Sequence, residues 1–323
     1  PLAHPVLAEI ERRRAGGVRD PAMKLALVIE GGGMRGVVCG GMVAGLEALG
    51  LTEVFDEVIG SSAGAIAGAY FVAGQAAFGT RIFYEEINNR RFIWKPRLFV
   101  RRPVVSVDFL LDDVCRHVKR LDWRAVLAAR SRLVCVAANL DRECATALTD
   151  FADDAALFAA MKASARIPAV AGPPVIIGGE RHVDAGVYEN IPLATAAARG
   201  ATHVLALLTR PYGSTAAELE RIERWLIAPW LDRQKQGVGG GYRQSPVRYA
   251  GELARARSTT SAPGEPAVLA VAPTAARPRI SNIEVNARIL QQGAMDGYAA
   301  LFEAFGRPPP ATPPPALCLD RVG

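Results

Sequence analysis

The stretch Leu25–Tyr70, LALVIEGGGMRGVVCGGMVAGLEALGLTEVFDEVIGSSAGAIAGAY, constrains this chain more than any other. Leu25–Ile29 is a short apolar run rich in β-formers, the mark of a buried parallel strand. Gly31, Gly32 and Gly33 follow at once, and Gly36 comes shortly after. A helix is expected from Val37 to about Leu49, with Gly50 as its stop. A second strand, about Val54–Ile59, runs into Gly60-Ser61-Ser62-Ala63-Gly64. The small residues that follow suit a helix packed tightly beneath that turn.

Gly60-x-Ser62-x-Gly64 has the spacing of a nucleophile elbow. A reactive serine must stand clear of its sheet on a strained strand-to-helix turn. Residues two before and two after it must be small, or their Cβ atoms clash with neighbouring backbone. The helix N-terminus beneath adds positive potential where negative charge develops. The string alone also describes an ordinary small-residue turn. Its position between a strand and a helix makes Ser62 the candidate nucleophile, with Gly60 and Gly64 as the elbow and Ser61 as an intervening residue.

The glycine loop has two readings. Gly31-x-Gly33-x-x-Gly36, after a strand and opening a helix, matches the dinucleotide fingerprint. That reading asks for an acid at the end of the second strand. Glu53, Asp56 and Glu57 precede or begin that strand instead, and its end offers no ribose ligand. In the other reading the loop is an oxyanion hole, its backbone N–H groups aimed at a tetrahedral acyl intermediate. Arg35 belongs to that region or is solvated or paired structurally.

A third motif weighs on the choice. Val183-Asp184-Ala185-Gly186-Val187-Tyr188-Glu189-Asn190-Ile191-Pro192 follows an expected hairpin at Gly178-Gly179. A glycine loop with arginine, then GxSxG, then an aspartate with small residues and N-x-P, in that order, resembles the patatin-like phospholipase family. The resemblance runs from about Leu25 to Phe305 and is closest to bacterial members. It implies a mainly parallel central sheet flanked by helices, an α/β-hydrolase-related three-layer sandwich. It also implies acyl-ester hydrolysis by a Ser62–Asp184 dyad, with no metal or other cofactor. The oxyanion region would comprise Gly32 and Gly33, together with Gly31, Arg35 and Gly36. The substrate would be a lipid or phospholipid acyl ester. One position departs from the family pattern: Ala185 stands where the family has glycine. If that position needs φ > 0, alanine is a poor substitute. A catalytically weak lipid-binding protein on the same scaffold is therefore the alternative, and a dinucleotide-binding domain is the third reading.

The histidines favour a dyad. A triad needs a histidine oriented by an acid. Of His4, His117, His182 and His203, only His182 is near a motif, and Asp184 is too close to it in sequence for an ordinary triad. Asp184 would then be the base itself, with burial raising its pKa. Ser164, in Lys162–Pro168, resembles the family's A-S-x-x-x-P stretch and reads as structural.

Elsewhere, residues 1–22 read as a peripheral lead-in whose Arg12-Arg13-Arg14 run is a solvated face. Residues 23–306 form the catalytic domain, and 307–323 a Pro-rich tail. Helices are expected over 75–88 (broken near Gly79), 108–120, 155–165 capped by Asp153 or Asp154, 214–232, 244–257 and 282–305 capped by Ser281. Further strands are expected over 132–138, 175–177, 181–183, 202–208 and 267–271, and Gly237–Gly241 reads as a mobile loop. The stretch 90–102 interleaves cations with Phe92, Trp94 and Phe99. It reads first as a basic loop whose aromatics plug the core edge, and second as a lipid-interface contact. The formal net charge of +6 suits solvated surface charge or an anionic lipid surface. No nucleic-acid module is recognisable. Five cysteines without metal spacing suggest a reducing compartment. With no span-length apolar run and no signal peptide, the expectation is cytoplasmic, peripheral at the membrane at most.

Overall fold

Among the described residues, eight strands make one sheet: β1 (Leu25–Ile29), β2 (Glu57–Ser61), β3 (Arg132–Asn139), β4 (Cys144–Leu148), β5 (Val175–Ile177), β6 (Glu180–Asp184), β7 (His203–Leu207) and β8 (Ala267–Val271). The computed structural model describes residues 4–100, 102–211, 223–258, 264–274, 280–310 and 314–318. The run β3-β2-β1-β7-β8 is parallel throughout, with β8 at the edge. β4 and β6 pair with β3 in the antiparallel sense, and β5 pairs with β6 likewise. The mainly parallel α/β architecture is therefore as expected.

Both faces of the sheet are covered. Leu25, Leu27 and Ile29 enter one apolar cluster with the helices Val37–Ala48, Ala63–Val72 and Ala287–Ala304, while Ala26 and Val28 enter another with the helix Ser245–Arg257. This explains why β1 reads as a continuous apolar run rather than an alternating one. The helices Val37–Ala48 and Ala287–Ala304 meet backbone to backbone. A Cβ on Gly41 would lie 1.8 Å from the Ala294 carbonyl oxygen, so only glycine fits there.

Several local expectations change. β2 starts at Glu57 rather than Val54, because Asp56 is drawn out of the strand. Its carboxylate accepts from the Leu25 N–H and pairs with Arg13 and Arg19. Arg13 is accordingly buried, with Glu9 as its second partner, and Val6 and Ile10 of the helix Pro5–Arg14 lie in the main core. That Arg run is not simply a solvated face. Gly237–Gly241 is not a loop. Gly237 is the left-handed residue that opens the helix Val238–Tyr242, and Gly239 packs against the Ala228 carbonyl. Asn286, not Ser281, caps the last helix, accepting from the N–H groups of Arg288 and Ile289. Asp153 caps the helix Asp154–Ala165 as expected. The 108–120 segment is wound as a π-helix over Phe109–Val118. The first part of the helix expected over 214–232 lies outside the described residues, as does much of the Pro-rich tail. Within that tail, Leu317 is buried and its carbonyl accepts from Tyr84.

Candidate active site

β3 acts as the ruler of the site. β2 ends with Ser61 opposite Val136, and β6 ends with Asp184 opposite Ala137. β4 pairs with β3 in one run over Cys135–Asn139, so β2 and β6 must share the edge it leaves. The two strands run toward each other and finish at adjacent rungs. The side chain that follows β2 meets the last one of β6: the Ser62 hydroxyl donates to Asp184 Oδ2 at 2.6 Å.

The elbow is backbone against backbone. Ser62 adopts φ 54° and ψ −124°, a conformation that a non-glycine residue holds only when its surroundings over-determine it. Those surroundings are close. A Cβ on Gly60 would lie 2.4 Å from the Gly64 carbonyl, and one on Gly64 2.4 Å from the Ile29 carbonyl oxygen. The Ser62 N–H donates to Ser164 Oγ at 2.8 Å, and Ser164 donates to the Val136 carbonyl at 2.6 Å. Ser61 turns away and donates to the Glu189 carbonyl.

Asp184 is oriented by its other oxygen, which accepts from the Gly186 N–H at 2.8 Å. Burial raises its pKa to about 6, against the opposing pull of the Ser62 hydroxyl and the Gly186 N–H. Ala185 begins a short 3-10 turn and lies outside the positive-φ region, so alanine in place of glycine imposes no backbone strain here. His182 is engaged elsewhere, with Asn139 and with the Glu180 carbonyl.

The glycine loop abuts Ser62: a Cβ on Gly31 would come within 2.9 Å of Ser62 Cβ. The Gly31 N–H, however, is taken by the Asn190 carbonyl at 3.3 Å. It is therefore not a free oxyanion donor. Among the described residues, the N–H groups of Gly32 and Gly33 have no protein acceptor. The same holds for Ala63, first residue of the elbow helix. Arg35 lies beneath the loop, its guanidinium against Gly32, and donates to Thr209 Oγ1 at 3.1 Å. Gly36 lets Ala63 approach. The dinucleotide reading fails on position. Glu57 begins β2 at the strand end remote from the loop and pairs with Arg199 and Lys24, while Asp56 is occupied by Arg13 and Arg19.

Ser62, Asp184 and Gly31–Gly33 share a cavity of about 790 Å³ whose walls include Ile66, Phe83, Ile87, Phe92, Val105 and Leu110. Such walls suit an apolar chain.

Some supporting residues are not legible in the sequence. The helix Ser245–Arg257 sends Tyr249 to Glu30, Glu252 to the N–H groups of Asn190 and Ile191, and Arg248 to the Val187 carbonyl. Glu30 also accepts from the Thr209 N–H. These bonds tie the glycine loop and the Asp184 loop to one helix. Burial, then the neighbouring Glu189 and Glu30, raise the Glu252 pKa to about 8. No local motif announces them. Ser164 had a signal, its A-S-x-x-x-P context, but not its partner.

The site is thus a serine on a strand-to-helix elbow, beside a half-buried aspartate and a glycine loop, on a mainly parallel sheet. The patatin-like phospholipase family model matches residues 27–197, and the chain belongs to that family. It is 27% identical over 213 residues to the uncharacterized protein YjjU of Escherichia coli K12, an alignment covering 63% of this chain. The chain thus matches 57% of that relative's length. The crystal structure of VipD from Legionella pneumophila aligns with 88% of this chain and 67% of that one, at 13% identity and a TM-score of 0.42. Family membership supports lipid acyl hydrolysis in general. Among the described residues, no helix is long and apolar enough to cross a membrane.

Proposed function

We propose that this chain is a serine acyl hydrolase that cleaves lipid or phospholipid acyl esters with a Ser62–Asp184 dyad. The observation that carries the reading is the 2.6 Å hydrogen bond from Ser62 to a half-buried aspartate at the wall of a largely apolar cavity. Asp184, with a pKa of about 6, is a stronger base than a free carboxylate and is still ionised at neutral pH. It takes the Ser62 proton as Oγ attacks the ester carbonyl. The N–H groups of Gly32 and Gly33 receive the oxyanion, with that of Ala63 as a third donor. Protonated Asp184 gives its proton to the leaving alcohol, and an acyl-serine remains. Water, deprotonated by Asp184, attacks the acyl-serine; as the fatty acid leaves, Asp184 returns the proton to Ser62 Oγ. No step uses a histidine. Arg35 braces the glycine loop from below, and Gly31 joins it to Asn190. The cavity walls receive the acyl chain. The catalytic unit is assigned to residues 23–306.

A lipid-binding protein without turnover is the competing reading, but its motive, strain at Ala185, is missing. The test is labelling by a fluorophosphonate and hydrolysis of p-nitrophenyl esters, wild type beside Ser62→Ala. Labelling and turnover present in the wild type and absent in Ser62→Ala are expected. An unlabelled, inactive but folded wild type overturns the enzyme reading.

A further inference from the structure

Seven of the thirteen exposed large apolar side chains among the described residues lie on three segments that meet at one place. Trp94, Leu98, Phe99 and Val100 stand out on one short segment, Phe99 at 90% exposure. Trp225 is 80% exposed on a second, and Ile283 and Val285 are exposed on a third. All three segments reach the cavity: Ile93, Lys95 and Leu98, Leu226 and Ile227, and Ile283 line it. The apolar side chains therefore stand around its mouth. A rim of this kind is unlike scattered surface hydrophobes, which need no explanation.

Charge runs the same way. Residues 90–102 carry six cations, Arg90, Arg91, Lys95, Arg97, Arg101 and Arg102, and no acid. Arg90, Lys95 and Arg102 are exposed and have no ion pair among the described residues. Arg91 reaches Asp113 only at 3.9 Å. Arg97 lies over the Trp94 ring, 5.9 Å from its centroid. The helical turn Lys95–Val100 buries none of its residues. Residues 94–100 thus hold a tryptophan, a phenylalanine and two aliphatic residues exposed among cations, the composition of an interfacial anchor. Phe92 alone fulfils the expectation of an aromatic that plugs the core edge.

We propose that this rim docks the cavity mouth onto an anionic phospholipid bilayer. Phe99, Leu98, Val100 and Trp225 enter the boundary between headgroups and acyl chains. The arginines and Lys95 meet lipid phosphates. A second copy of the chain is the poorer occupant, because a two-fold interface would set this cationic face against itself. The inference deepens the lipid-hydrolase reading by placing its substrate in a bilayer. A lipid could then pass from the bilayer into the cavity without crossing water.

The test is flotation of the full chain with vesicles of phosphatidylcholine alone and of phosphatidylcholine mixed with phosphatidylglycerol. The wild type is expected to prefer the mixed vesicles, and added salt to weaken that preference. Phe99→Asp should lower binding about tenfold, and Arg90→Glu with Arg97→Glu should abolish the preference. Val18→Asp, equally exposed but away from the rim, should bind as wild type. None of these positions lines the cavity, so hydrolysis of a soluble short-chain ester should be unchanged. Rim variants that bind both vesicles like wild type, or a wild type that binds neither, overturn the proposal. Rim-dependent binding without any ester turnover would uphold the docking surface and sink the hydrolase. Turnover of soluble ester with no vesicle binding would do the reverse.

Discussion

Ser62 and Asp184 touch, yet the molecule holds them by opposite means. The serine side is a backbone device. Gly60, Gly64 and the Ile29 carbonyl leave no room for a Cβ, and the chain itself forces Ser62 into its rare conformation. The aspartate side is ordinary strand. Asp184 has unstrained dihedrals and reaches the serine because its hairpin registers on β3 one rung beyond β2. One half is fixed by close backbone sterics, the other by the register of strands distant in sequence. Damage on the two sides should therefore differ in kind.

The largest effect comes from the charge that crosses between them. Asp184→Asn removes the base but keeps the shape, and turnover should fall on the order of 10³–10⁴-fold. Activity within a few-fold of wild type would break the dyad. The same substitution should stabilise the fold. The native pKa of about 6 lies above the ordinary carboxylate value of 3.8, so wild-type stability is reduced as pH rises through 6. Asp184→Asn should therefore gain up to about 3 kcal/mol above that pH and nothing below about pH 4. Wild-type kcat/KM should climb with pH to a plateau, with its half-point near 6. A flat profile across that range would reject this aspartate as the base.

Gly64→Ala tests the serine side. Its methyl would lie 2.4 Å from the Ile29 carbonyl, in backbone that cannot swing aside. Overpacking of this kind costs about 1–3 kcal/mol or more. Melting temperature and turnover should drop together, unlike in Asp184→Asn. An unchanged melting curve would show that the elbow is looser than its geometry.

Ser164→Ala sits between the two sides. It strips the acceptor from the Ser62 N–H, and an unsatisfied buried donor costs about 1–3 kcal/mol. Turnover should fall roughly tenfold, with fluorophosphonate labelling slowed but complete. Ser164→Thr keeps the hydroxyl and should recover part of the loss. Equal loss in both variants would mean that packing, not the hydrogen bond, is at stake.

Glu252→Gln should act mainly on pH dependence. With a native pKa of about 8, the wild-type carboxyl makes the fold progressively less stable as pH rises from the ordinary carboxylate range through 8. The amide keeps an acceptor for the Asn190 and Ile191 N–H groups and should flatten melting temperature against pH. Identical curves for both proteins would rule out Glu252 as the source.

The smallest effect belongs to Ala185→Gly. With Ala185 outside the left-handed region, glycine brings backbone entropy and loses one buried methyl, together about 1–2 kcal/mol, and turnover should stay within twofold. A clear activation would reopen the question of strain on the aspartate side.

The sequence determined what is local. A buried strand, a glycine turn, a GxSxG elbow and the Asp153 cap each follow from sterics or hydrogen bonds within a few residues. They were legible from type and spacing alone. The parallel sheet was legible too, because β1 must be apolar on both faces. What lay across the chain was not. Ser281 had the right chemistry for a cap, but Asn286 won because the helix starts there. Gly237–Gly241 had a loop's composition, but packing against Ala228 made it helix. Arg13 read as solvent-facing until Glu9 and Asp56 enclosed it. The Gly31 N–H looked free until the Asn190 carbonyl took it. Only the tertiary structure decided these outcomes, because each depends on a partner whose distance along the chain carries no signal. It also decided the pKa of Asp184, since burial belongs to the surroundings and not to the residue.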